Sequence, residues 1–172
     1  MQFLDLMRSR CDLLEIKIQK ISDKKRGLRM RKTEVKIKIR NYHSDNHNHV
    51  NNARYLEFFE EGSWDFLEKN KNVGKLMKTL AEDGIVHVAV NSNCNFRDSA
   101  VVGDTLRIET ELCRSTSRSF TWLKKVFNDK SDILVADEQI TCVFIDSTTR
   151  EVVPLSKEMK KIWPERAKYG YR

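Results

Sequence analysis

Residues Tyr42–Leu67 read YHSDNHNHVNNARYLEFFEEGSWDFL. The opening of this stretch is polar: one carboxylate (Asp45), three histidines (His43, His47, His49) and four asparagines precede Ala53. From there the pattern turns apolar at helical spacing, with Tyr55, Leu56, Phe59, Ser63, Phe66 and Leu67 forming a band. Glu57, Glu60, Glu61, Asp65 and Glu68 take the polar positions. The spacing predicts a long buried helix, capped by Asn51 or Asn52, whose side chains can accept a first-turn N–H. Gly62 and Ser63 interrupt the band with small residues, which suits close approach by strands.

Strand-like segments flank this helix. From Thr33, Val35, Ile37 and Ile39 alternate with Lys36, Lys38 and Arg40, the period of a half-buried strand. After the helix, Asn70–Asp83 reads as its end and a second short helix or lid, closed by Gly84. Four more strands are predicted at Ile85–Phe96, Thr105–Cys113, Ser119–Phe127 and Leu134–Asp146, separated by short polar turns. Consecutive strands with short connections pair antiparallel. A capped short helix is expected over Ser156–Trp163, after Pro154. One helix cannot cover both faces of five strands. The predicted architecture is therefore α+β: a curved antiparallel sheet wrapped around the helix, with a second subunit covering further surface.

The 172 residues suit one domain, and six glycines and two prolines leave little room for linkers. The net charge of +7 is unevenly placed: residues 1–32 carry ten Lys or Arg against four Asp or Glu, and the rest 22 against 21. A near-neutral domain over 33–163 is expected, with a basic amphipathic extension over 1–32 and a polar tail over 164–172. The extension's charge is compatible with an anionic membrane surface. A helix packed on its own domain or on a partner subunit is the favoured reading, and no nucleic-acid recognition helix is visible. No run approaches the roughly 18 apolar residues of a membrane span, and no secretory signal is expected. Cys11, Cys94, Cys113 and Cys142 lack metal or disulfide spacing, so a reducing, cytoplasmic setting is expected.

A carboxylate placed just upstream of a helix N-terminus can attack a thioester or activate water, with first-turn amides holding the oxyanion. By itself an aspartate there is more often a cap or turn residue. The wording of the stretch is more specific. Asp45-x-x-x-His49-Val50-Asn51-Asn52-Ala53-Arg54-Tyr55-Leu56, followed by Phe59-Glu60-Glu61, resembles the signature of hot-dog-fold acyl thioesterases. The likeness is to the 4-hydroxybenzoyl-CoA-thioesterase-like superfamily and the related acyl-ACP thioesterases. Phe96-Arg97-Asp98-Ser99-Ala100-Val101-Val102-Gly103-Asp104-Thr105-Leu106 is similar to a second family segment.

The resemblance implies hydrolysis of an acyl-CoA or acyl-ACP, with Asp45 as nucleophile or general base. The backbone amide near Asn52 would polarise the carbonyl, and His49 and Asn51 would line the pocket. Tyr55, Phe59 and Trp64 either shape an acyl pocket or pack the core. Arg97 either meets the phosphates of CoA or phosphopantetheine or forms a rim salt bridge. The resemblance also implies a homodimer, or a dimer of dimers, and needs no metal or redox cofactor. His43 stands where the family's first aspartate is usual, His47 where plant-type acyl-ACP enzymes carry Asn, and Asn48 where Gly is common. A three-histidine metal site lacks a regular ligand framework. A hydratase would need a different Asp-to-His spacing. The non-enzymatic alternative is an acyl-thioester-binding or sensing hot-dog domain.

Overall fold

The computed structural model describes residues 31–162, together with Lys17. Apart from Lys17, the expected extension up to residue 30 lies outside the described residues, as do Trp163 and the tail beyond it. In chain order the elements are β1 (Thr33–Lys38), a 3-10 turn (Asn41–His43), α1 (Asn52–Lys69), α2 (Lys71–Glu82), β2 (Ile85–Phe96), β3 (Thr105–Ser115), β4 (Ser119–Asn128), β5 (Leu134–Asp146), β6 (Val152–Val153) and α3 (Lys157–Ile162). The strands form one antiparallel sheet ordered β1-β3-β4-β5-β2, and β6 pairs with the end of β5. The expected strand starts are met. β3 and β4 run one or two residues past the expected ends, and β6 brings the strands among the described residues to six.

Helix α1 lies across β1, β3 and β4. Its buried residues are Tyr55, Phe58, Phe59, Gly62 and Phe66, a three-and-four spacing that turns one face to the sheet. Leu56 lies on the flank of that face and is exposed, so the apolar band expected from sequence is narrower than drawn and includes Phe58 instead. The close approach at Gly62 is real: a Cβ there would stand 2.5 Å from Thr110 Oγ1 and 2.8 Å from Ile108 Cγ2.

Two apolar clusters share the space between helix and sheet. One gathers Tyr55, Phe58 and Phe59 with Ile39, Val50, Leu106, Ile108 and Val126 at the start of α1. The other surrounds Phe66, whose ring meets Trp122 edge-on at 4.9 Å. Val73, Leu76, Met77 and Leu80 of α2 belong to this second cluster. The second helix is thus a twelve-residue core element, not a lid. The break before it is made by buried Asn70, whose amide donates to Phe66 O and Arg31 O and whose Oδ1 accepts from Arg31 N, tying the helix end to the chain entering β1. Ser156 caps α3 through Met159 N, as expected.

Candidate active site

The loop before α1 is a narrow hairpin closed on itself. Asn51 N donates to His43 O at 2.9 Å, Ser44 bridges Val50, and Asp45 N donates to His49 O at 2.9 Å. Asn48 takes the tip with φ of 61°, a conformation that asparagine tolerates better than most residues. The hairpin is pinned from outside as well: Val50 N donates to Ala100 O at 2.8 Å, and His49 bridges Val101. Both expected motifs therefore meet, because the second segment forms the turn that holds the first.

Asp45 sits half-buried on this hairpin, opposite His49, two ladder positions from the helix cap. Its Oδ1 accepts from His47 N at 2.8 Å and from His49 N at 3.3 Å. Among the described residues Oδ2 meets no donor, so one carboxylate oxygen is fixed and the other is available. Asn51 proves to be the cap: its Oδ1 accepts from Ala53 N at 2.9 Å, and Asn52 opens the helix, where the macrodipole is positive.

The histidines have separate fates. His43 is buried, edge-on to Phe58 at 5.2 Å, and its Nδ1 accepts from Arg40 N at 3.1 Å. Burial, with Arg54 nearby, lowers its pKa. The side chains of His47 and His49 are exposed. No group of three or more His, Cys, Asp or Glu able to hold a metal occurs among the described residues.

Tyr55 and Phe59 are core residues. Tyr55 packs edge-on against Phe58 and Phe96, and its hydroxyl pKa is pushed up to about 12, mainly by burial. Trp64 is 57 % exposed and walls a cavity on the other side of α1. Arg97 forms the rim salt bridge, its Nε 2.6 Å from Asp137 Oδ2. Cationic side chains nearer the hairpin are Lys38 and Arg40, which line a cleft of about 510 Å³ with Tyr42 and Gly103.

The thioesterase-like superfamily model matches residues 40–162, from the chain entering the hairpin to the last helix described. The chain belongs to that superfamily. This thioesterase-like chain is 37% identical over 128 residues to the long-chain acyl-CoA thioesterase FadM of Escherichia coli (strain K12), across 74% of its own length and 94% of that protein's. The crystal structure of YbaW, a probable thioesterase from Escherichia coli, superposes with a TM-score of 0.66 at 37% identity, covering 75% of this chain and 95% of that one. A 12:0-ACP thioesterase from Umbellularia californica gives a TM-score of 0.69 at 14% identity, covering 79% of this chain and 52% of that one, a likeness of fold. The sheet wrapped around α1 is the hot-dog fold of this thioesterase-like superfamily.

Of the residues around the cavity behind α1, sequence reading singled out Trp64 as a pocket wall and passed over the polar ones. Glu60, Ser63, Trp64, His87, Trp122 and Lys124 line it. The signal was present: in Phe120-x-Trp122-x-Lys124-x-Val126 a lysine occupies an inward position of an otherwise apolar strand face.

Proposed function

We propose that this chain hydrolyses acyl-CoA thioesters, and that Asp45 is the catalytic carboxylate. The observation that carries this reading is the anchored hairpin: one Asp45 oxygen held by two loop amides, the other open, beside the amide-rich start of α1. In the reaction a water oxygen bonds to the thioester carbonyl carbon, the C–S bond breaks, and coenzyme A leaves as its thiol. Asp45 takes the water proton as general base, or forms an acyl anhydride as nucleophile that water then opens. The amide of Asn52 donates to the oxygen that becomes negative. His49 and Asn51 keep the hairpin and cap in register.

The acyl-CoA carrier is favoured by the 37% identity to a long-chain acyl-CoA thioesterase and by the cationic cleft of Lys38 and Arg40. That cleft suits the phosphates of coenzyme A, while Arg97 is engaged in its salt bridge to Asp137. A homodimer completes the reading. The twelve-residue β2 pairs with β5 along one edge, and its other edge has no partner among the described residues. Val90 and Phe96 on β2, with Leu56 and Trp64 on α1, leave apolar surface beside that edge, which a second copy would cover. The free thiols of Cys94, Cys113 and Cys142 suit a reducing compartment.

One observation favours a second reading, acyl-thioester binding without turnover: an aspartate bonded to the amides of its own turn is also what a purely structural Asx turn requires. Palmitoyl-CoA hydrolysis by the wild type and by Asp45→Ala separates the two. Turnover abolished by the substitution supports the catalytic assignment. Binding without turnover supports the sensor, and turnover unchanged by the substitution removes Asp45 from the mechanism.

A further inference from the structure

Beneath Gly62 the inner face of the sheet carries a row of polar residues. Thr110 on β3 stands opposite Lys124 on β4, and Lys124 opposite Glu138 on β5. Ser92 on β2 donates to Glu138 Oε1 at 2.9 Å. The Lys124 side chain is 2 % exposed, and its ammonium lies 3.1 Å from Glu138 Oε2. That contact pairs the charges, although it is off the direction of a hydrogen bond and leaves Oε2 without a linear donor. Burying two charges is costly, and apolar residues of similar size would fill the same space without that cost. The row calls for a reason beyond stability.

Lys124 opens into the cavity of about 230 Å³ between α1 and the sheet. Trp64 and Trp122 give it aromatic walls, and Glu60, Ser63 and His87 complete its polar side. The His87 ring is set against Phe120 and Phe144, and this surrounding lowers its pKa despite Glu60 nearby. An ammonium carries three N–H donors, and among the described residues Glu138 is the one partner of Lys124. A plain methylene chain in this cavity would strip water from the remaining donors and return nothing. A second carboxylate would be repelled by Glu60 and Glu138. A neutral oxygen fits, because it accepts from Lys124, and a hydroxyl can donate to Glu60 as well.

Leu56, Glu60, Ser63, Trp64 and Leu67 share one face of α1, which runs from the hairpin end toward the cavity. We propose that this cavity receives the acyl part of the thioester and selects chains bearing a hydroxyl or keto oxygen, with the Lys124 ammonium as the donor that recognises it. The proposal rests on the thioesterase reading and adds its substrate class. The cavity lies below the usual 300–1,000 Å³ of small-molecule sites, so it holds part of a long chain and reads the oxygen at a limited set of positions.

The test compares palmitoyl-CoA, hydroxypalmitoyl-CoAs with the hydroxyl at successive carbons, and the CoA ester of the matching dicarboxylic acid. The full-length wild type is set against Lys124→Met/Glu138→Leu, which removes both charges together. Expected is a preference in kcat/KM of about 100-fold for the best-placed hydroxyl over palmitoyl-CoA, and a disfavoured dicarboxylic ester. The ratio falls to about one in the double variant. Equal rates for hydroxylated and plain chains in the wild type overturn the proposal, as does a preference that survives in the variant. Calorimetric titration of the wild type with hydroxypalmitic and palmitic acids decides the matter independently of turnover or of the variant's folding. Tighter binding of the hydroxy acid supports it even if no thioester is hydrolysed, and equal affinity overturns it. Absence of hydrolysis in the wild type, with binding retained, would count against the thioesterase reading instead.

Discussion

His47 offers its backbone amide, not its ring, to Asp45: the N–H donates to Oδ1 at 2.8 Å while the imidazole is exposed. The carboxylate is thereby oriented by main chain, and a side chain at position 47 is free to vary without moving it. A histidine at this position therefore leaves the loop able to hold its aspartate.

Replacing Asp45 by Asn keeps an acceptor for both loop amides and removes the charge. Asp45→Asn is expected to fold with a Tm close to wild type and to lose about 100- to 10,000-fold in kcat on palmitoyl-CoA. Asp45→Ala loses the turn bonds too and should lower the Tm as well. Thiol release and thermal melts check both halves; an Asn variant with full activity would refute the assignment.

Gly62 is a packing requirement. Adding a Cβ places it 2.5 Å from Thr110 Oγ1. Gly62→Ala gains helix propensity of up to about 1 kcal/mol but overpacks the core, and a net loss of about 1–2 kcal/mol is expected in urea unfolding. Thr110→Ala in the same chain should recover part of the loss. It should not recover all of it, because Ile108 Cγ2 remains at 2.8 Å.

His43 makes stability depend on pH. Burial holds its folded pKa below the usual value of about 6.5, so the unfolded chain takes up a proton first as pH falls. The contribution of His43 is complete above about pH 6.5 and is lost as pH drops through the lowered folded value. The added proton also displaces the Arg40 N–H from Nδ1. Urea midpoints from pH 8 to 5 should decline through this window. His43→Gln, which keeps an acceptor and cannot charge, should flatten the decline, with His87 supplying a contribution of the same sign.

The buried pair of Lys124 and Glu138 should behave asymmetrically. Lys124→Met alone leaves a carboxylate in the core without its counter-charge, at a cost of about 3–5 kcal/mol. Removing both, as Lys124→Met/Glu138→Leu, should bring stability to within about 1 kcal/mol of wild type or above it. Urea unfolding of the three proteins measures the difference. A single variant as stable as the double would overturn the expected asymmetry.

The amino-acid sequence by itself determined the strand alternation, the long helix and its asparagine cap, because each is written in spacing or in local hydrogen-bond chemistry. Tertiary structure decided what spacing cannot express. Leu56 and Phe58 are equally apolar, and only the placement of β1 and β3 buries one and exposes the other. Asn70–Asp83 could have been a lid until Leu76 and Leu80 found Phe66 to pack against. Arg97 could reach a phosphate or a carboxylate, and the strand register set Asp137 beside it. Lys124 and Glu138 lie fourteen residues apart in the chain, and it is their antiparallel pairing that makes one buried pair of them. Contacts between distant residues depend on how elements stack, and a local pattern carries no record of the neighbour it will meet.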